Sequence, residues 1–156
     1  MMDLKIGDYA PEFVGLNQRG EEVRLKDFLG KKLILYFYPK NDTPGCTAQA
    51  CNLRDNYASL LEKGYIIIGI STDSAKSHQR FTQRYKLPFQ LITDKDRTIH
   101  AQYGTWVQKS MFGKKYWGTA RVTFLINEEG KIAAMITRVN TDNHTVQILN
   151  SSHPDI

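Results

Sequence analysis

Leu33-Ile34-Leu35-Tyr36-Phe37-Tyr38, running into Pro39-Lys40-Asn41-Asp42-Thr43-Pro44-Gly45-Cys46, decides how this chain is read. An unbroken apolar run of strand length, without polar alternation, suits a central strand buried on both faces. The segment after it is prepared for a helix start. Thr43 reads as the N-cap, Pro44 as the first helical residue, and Cys46 falls in the first turn. A thiol in that turn feels the positive end of the helix dipole, which favours the nucleophilic thiolate. The plainer alternative makes Cys46 a small buried packing residue. Against it, a cap, a proline and a glycine all prepare the same turn.

Outward from this stretch the pattern alternates. Ala50, Leu53, Tyr57 and Leu60/Leu61 recur at three- and four-residue steps, so the helix that holds Cys46 is expected to run on until Gly64 stops it. Residues 65–71 read as a second buried strand. Asp73 or Ser74 can cap a helix that carries His78, Phe81 and Tyr85 on one face. A shorter strand over 87–93 has Pro88 near its start, and a short helix over 98–103 ends at Gly104. Residues 122–127 and 131–138 flank Glu128-Glu129-Gly130 and read as a hairpin. A C-terminal helix is expected over 145–150. This order implies one α/β domain over residues 1–156, a layered sheet with helices against it. Functional residues of such sheets gather at the carboxyl ends of strands, and Cys46 lies just past one.

The 156 residues are enough for one core without disulfides. Cys46 and Cys51 are the only cysteines, too close in sequence to staple much of the chain, and their scarcity fits a reducing compartment. No basic segment followed by an apolar run opens the chain, and the longest apolar stretches, 33–38 and 65–70, are too short to span a bilayer. The cytoplasm is the expected compartment, with no membrane partner. The net charge of +5 is spread thinly, with small clusters at Lys31-Lys32 and Lys114-Lys115. There is no basic stripe with interleaved aromatics, so no nucleic-acid partner is expected.

A thiolate can attack disulfides, carbonyls or peroxide oxygen, and it can bind metals. His78, His100, His144 and His153 are scattered, and none adjoins Cys46 in sequence, so a Cys-His pair is unsupported. Two thiols with four intervening residues and no nearby ligand pair match no common zinc site. Peroxide suits the local groups better. Attack on it gives a sulfenic acid, which condenses with a second thiol, and Cys51 is the second thiol on offer. Thr43 can offer a hydroxyl and the first-turn amides offer N–H donors. A guanidinium could hold both thiolate and peroxide, and Arg121, at the head of the strand over 122–127, is the candidate; an arginine at a strand start is usually solvated, so this choice leans on the family resemblance that follows.

Pro39, Thr43 and Cys46 together match the peroxiredoxin pattern of Pro, three residues, Thr, two residues, Cys. With Ala50-Cys51 following, the chain resembles the bacterioferritin comigratory protein (Q-type) subfamily. Gly7-Asp8-Tyr9-Ala10-Pro11-Glu12-Phe13, Leu25-Lys26-Asp27-Phe28 and Gly69-Ile70-Ser71 add to the resemblance. So do Tyr103-Gly104 with Trp106, Lys109, Met111, Gly113-Lys114, Tyr116 and Gly118, and Arg121 with Thr123-Phe124-Leu125-Ile126. The resemblance covers roughly residues 3–150. It implies a thioredoxin-like fold, a central mixed β-sheet flanked by helices. It implies that Cys46 is peroxidatic and Cys51 resolving, that Thr43 and Arg121 bind peroxide, and that Pro39 shields the pocket. It also implies an antioxidant thiol peroxidase for hydrogen peroxide and organic hydroperoxides that needs no cofactor. Thioredoxin would recycle its intramolecular disulfide, and the protein would be a monomer or weak dimer. Gln49 departs from the carboxylate common at that position.

A Cys46–Cys51 disulfide carries a geometric demand. Residues i and i+5 of a helix lie about 140° apart with Cα atoms roughly 8.6 Å apart. A disulfide needs less than about 7 Å. The first turns of the helix are therefore expected to open when the bond forms. Two rivals stand beside the peroxidase. A thiol–disulfide oxidoreductase on the same fold favours two residues between its cysteines rather than four. A non-enzymatic binding or holdase module would be indifferent to Cys46→Ser.

Overall fold

The structure, a computed structural model, describes residues 4–151. Its strands are β1 (Val14–Asn17), β2 (Glu22–Arg24), β3 (Lys32–Phe37), β4 (Tyr65–Ser71), β5 (Gln90–Thr93), β6 (Trp106–Met111), β7 (Lys114–Thr119), β8 (Val122–Ile126) and β9 (Ile132–Ile136). Its helices are α1 (Pro44–Asp55), α2 (Tyr57–Glu62), α3 (Ala75–Tyr85), α4 (Thr98–Tyr103) and α5 (His144–Ser151). Seven strands form one mixed sheet in the order β2-β1-β5-β4-β3-β8-β9. β3 is parallel to β4 and antiparallel to β8.

The unbroken apolar run of β3 has a simple cause. Ile34, Tyr36 and Tyr38 join one core with Cys46, Ala50, Leu53 and Phe81, while Leu33, Leu35 and Phe37 join the opposite core with Phe13, Tyr103 and Phe124. Alternate side chains of a strand point to opposite faces, so a strand covered on both sides needs apolar residues at every position. Leu53 is fully buried. A leucine in that state contributes about 1.5–3 kcal/mol, which is how packing rather than propensity holds α1 on the sheet.

Three expectations change in detail. The helix that carries Cys46 is not continuous to Gly64; it breaks at Asn56, whose side chain turns back to the Asn52 carbonyl (2.8 Å) and gives the chain an alternative to the helical ladder. Of the two possible caps of α3, Ser74 accepts from the Ser77 amide, whereas Asp73 is occupied by the loop after β3. The fifth strand begins at Gln90, not 87. Two hairpins went unread: β1–β2, and β6–β7, which forms a separate two-stranded sheet. β1 and β2 are only four and three residues long, and β6 and β7, at six residues each, lack the apolar alternation that marks a strand.

Candidate active site

Strand pairing makes the site. β8 runs antiparallel to β3 with Val122 opposite Phe37, so Arg121, one residue earlier, is delivered to the carboxyl end of β3. There the chain turns through Pro39–Gly45 into α1, and Cys46 falls in the first helical turn, 1% exposed. Arg121 Nη2 donates to Cys46 Sγ at 3.3 Å, and Nη1 donates to Gln49 Oε1 at 2.8 Å. Cys46 and Gln49 are three residues apart on α1 and so share a face. One planar guanidinium spans both, a fit that depends on its fixed fork of donors. Gly45 makes room: a Cβ there would lie 3.2 Å from Arg121 Nη2.

The loop that positions Cys46 is held from below by a residue the sequence did not single out. Asn41 is buried in the middle of the turn. Its Oδ1 accepts from the Tyr38 hydroxyl (2.6 Å), its Nδ2 donates to His78 Nδ1 (2.9 Å) and to Ser77 Oγ (3.1 Å), and its amide donates to Asp73 Oδ2 (2.9 Å). His78 Nε2 in turn donates to the Ile92 carbonyl at 3.1 Å. These partners specify a neutral imidazole, and burial lowers its pKa, with Asp73 opposing. The only hint in sequence was an asparagine inside a proline-flanked turn.

Thr43 sits at the N-cap position with extended backbone, but its side chain does not cap the helix. Its hydroxyl donates to the Lys40 carbonyl at 2.8 Å, which closes the turn over Asp42, itself at φ +61°. The Thr43 proton is thus spent on the loop, and its oxygen remains as an acceptor. The first amides of a helix lack intrahelical partners; the ladder of α1 begins with Thr47 N–H on the Thr43 carbonyl at 2.9 Å, which leaves the N–H groups of Gly45 and Cys46 outside it, in the same turn as the thiol. Pro39 is half-buried at the start of the same loop.

Further charge comes from the β6–β7 hairpin. Lys109 has its pKa lowered by burial and by the neighbouring Arg121, with Cys46 acting in the opposite direction. On the core side, burial and then the charge of Cys46 raise the Tyr36 hydroxyl far above its ordinary 10. Tyr36 Oη and Gln49 Nε2 are both buried without a hydrogen-bond partner among the described residues. Cys51 is half-buried on α1, and both cysteines are free thiols.

The histidines do other work. His100 donates to Asp94 (2.6 Å) and meets Thr119 Oγ1 (2.9 Å), and all three are buried, a lock between α4 and β7 rather than an accessible triad. His144 donates to Gln147 Oε1 (2.9 Å) and accepts from Thr123 (2.8 Å). His153 lies outside the described residues. Among the described residues no group of three His, Cys, Asp or Glu side chains is placed to hold a metal ion, and no helix is long and apolar enough to cross a membrane.

The AhpC/TSA family matches residues 6–135. The chain is 45% identical over 150 residues to the peroxiredoxin Bcp of Escherichia coli K12, an alignment covering 96% of each. The solved structure of the peroxidoxin BcpB of Mycobacterium tuberculosis is 30% identical, with a TM-score of 0.85 over 99% of both chains. That of the Xanthomonas campestris bacterioferritin comigratory protein, described for its alkyl peroxide reduction activity, is 28% identical. Its TM-score is 0.86 over 96% of this chain and 95% of that one.

Proposed function

This chain belongs to the AhpC/TSA family and is a thiol peroxidase of the Bcp peroxiredoxin type, and on that premise we propose that Cys46 is the attacking thiol and Cys51 the resolving one. The observation that carries the assignment is the Arg121 guanidinium, which reaches Cys46 Sγ at 3.3 Å while Gln49 holds its other arm. A cation in that place stabilises the thiolate and then the charge that develops on the peroxide oxygens.

Cys46 thiolate attacks the terminal oxygen of the hydroperoxide. The S–O bond forms as the O–O bond breaks, and the departing alkoxide takes a proton and leaves as alcohol, or as water when the substrate is hydrogen peroxide. The sulfur is left as sulfenic acid. Arg121 and the Gly45 and Cys46 amides are the donors to the departing oxygen, the Thr43 oxygen accepts from the peroxide proton, and Pro39 keeps bulk water from the loop side. Cys51 thiolate then attacks the sulfenic sulfur, expelling hydroxide, which takes up a proton to become water. This gives the Cys46–Cys51 disulfide, and thioredoxin or a similar dithiol reduces it. Free thiols favour a reducing compartment such as the cytoplasm. One sheet drawing strands from Val14 to Ile136 supports a single domain, and we take it to act as a monomer or weak dimer without nucleic acid.

Stopped-flow mixing of the reduced protein with hydrogen peroxide and with an alkyl hydroperoxide tests the assignment. Wild type reacts rapidly with both and Cys46→Ser with neither. A Cys46→Ser protein that still turned over near the wild-type rate would remove Cys46 from the chemistry.

A further inference from the structure

The hairpin of β6 and β7 has three properties that the peroxidase chemistry does not use. It is basic: it carries Lys109, Lys114 and Lys115, and the chain from Arg97 to Asn127 that includes it has no Asp or Glu, where the overall acidic content would place roughly three. It is apolar at its tip: of the eleven large hydrophobic side chains exposed among the described residues, Met111, Phe112, Tyr116 and Trp117 fall within seven positions. And it is strained to display one of them. The turn residues Phe112 and Gly113 have φ +53° and +79°. Two-residue hairpin turns of this kind favour Asn, Asp or Gly, and a bulky side chain there is an outlier. Phe112 nonetheless occupies the turn with 97% of its surface exposed.

The hairpin is rigid at its root and free at its tip. Ala120 N–H closes the neck onto the Thr105 carbonyl at 2.7 Å. The Trp106 ring stands edge-on to His100 (5.9 Å) with the Arg97 guanidinium 4.9 Å over it. Cross-strand partners share a face, so Lys109 with Tyr116 and Met111 with Lys114 line one side, and Gln108 with Trp117 and Ser110 with Lys115 the other. The first of these faces leads from the tip to Lys109, which feels both Arg121 and Cys46.

We propose that this hairpin docks on an anionic lipid surface, with Phe112 and Met111 entering the headgroup region, Tyr116 and Trp117 at its boundary and Lys114 and Lys115 against the lipid phosphates. Aromatic rings beside lysines around an apolar point are what an interface between water and lipid selects. A second copy of the chain would bring the same lysines face to face, and a convex tip offers little flat area to a protein partner. The proposal builds on the peroxidase reading and adds a substrate class, hydroperoxides carried by membrane lipids. It departs from the sequence expectation of no membrane partner.

The reduced protein is sedimented with vesicles of phosphatidylcholine alone and with vesicles that also contain phosphatidylglycerol. Binding is expected to the mixed vesicles, weakened by salt, and not to the neutral ones. Lys114→Gln with Lys115→Gln lowers the partition coefficient roughly thirtyfold. Phe112→Asn, which suits the turn and keeps the hairpin folded, lowers it about tenfold or more. Both variants lose turnover of phospholipid hydroperoxide in the mixed vesicles in parallel, and keep wild-type turnover of hydrogen peroxide. Wild type that ignores the mixed vesicles, or variants that bind them as wild type does, overturns the proposal. So does a raised KM for a protein thiol reductant with vesicle binding intact, which would make the tip a protein contact. Partition needs no turnover, so a failure of the peroxidase reading would show separately as lost hydrogen peroxide consumption with binding retained.

Discussion

Arg121 and Gln49, 72 positions apart in sequence, are joined by a 2.8 Å hydrogen bond from Nη1 to Oε1. The acceptor is neutral. It orients the guanidinium without neutralising it, so the positive charge remains available at Nη2, 3.3 Å from Cys46 Sγ.

Gln49→Met keeps the length and removes the acceptor. Hydrogen bonds to charged groups are worth about 1.5–3 kcal/mol. The Arg121 arm is then free to wander, and the first reaction with peroxide is expected to slow by tenfold or more while far-ultraviolet circular dichroism stays unchanged. An unaltered rate would show that Arg121 needs no such anchor.

Arg121→Ala removes the cation itself. Loss of one donor to a developing charge costs on the order of a hundredfold or more. Arg121→Lys is expected to recover only part of this, because a single ammonium cannot serve Cys46 and Gln49 together as the planar fork does. Rates from stopped-flow fluorescence rank the three proteins, and equal rates would take Arg121 out of the site.

Cys51→Ser is expected to react once with peroxide and then stop at the sulfenic acid, passing to sulfinic acid as peroxide is added. Intact mass spectrometry reads each state directly. Sustained turnover with thioredoxin at the wild-type rate would mean that Cys51 is not required for resolution.

Disulfide formation should open α1 only as far as Asn52. Its Oδ1 accepts from both the amide and the hydroxyl of Thr145, and its Nδ2 donates to the Asp142 carbonyl, tying that turn of α1 to the start of α5. Amide exchange over residues 46–51 is expected to rise on oxidation while protection near Leu53 persists. Asn52→Ala loosens the tie and is expected to speed disulfide formation. Identical protection in the two redox forms would require resolution between chains.

Acid stability follows from His78 and His144, both buried and both with lowered pKa, chiefly through desolvation. The unfolded imidazoles titrate near their ordinary 6.5 and take up protons that the folded ones refuse. With more protons on the unfolded state, stability rises with pH across this window. Urea midpoints should therefore fall as pH drops from about 7.5 to 5.5, with a shallower fall in His144→Gln. A flat profile would show that neither imidazole resists protonation.

The local chemistry of the site was legible because it is written in adjacent residues. A doubly buried strand needs an unbroken apolar run, a helix start needs a residue such as Pro44 that suits its first turn, and residues 33–46 satisfy both requirements in one short stretch. Most of the elements around that stretch follow from period and punctuation, and those stand in the order expected, whereas β1, β2, β6 and β7 carry no such signal. Other features depend on pairing between distant segments, which no local pattern encodes. The antiparallel register of β8 on β3 decides that Arg121 meets Cys46 and Gln49. The packing of α3 under the loop decides that Asn41 and His78 hold it. The turn from Lys40 decides that Thr43 closes the loop instead of capping the helix. Hydrogen-bond partners are chosen by proximity and geometry in the folded chain, so a residue type can announce what it is able to do while only tertiary structure selects what it does.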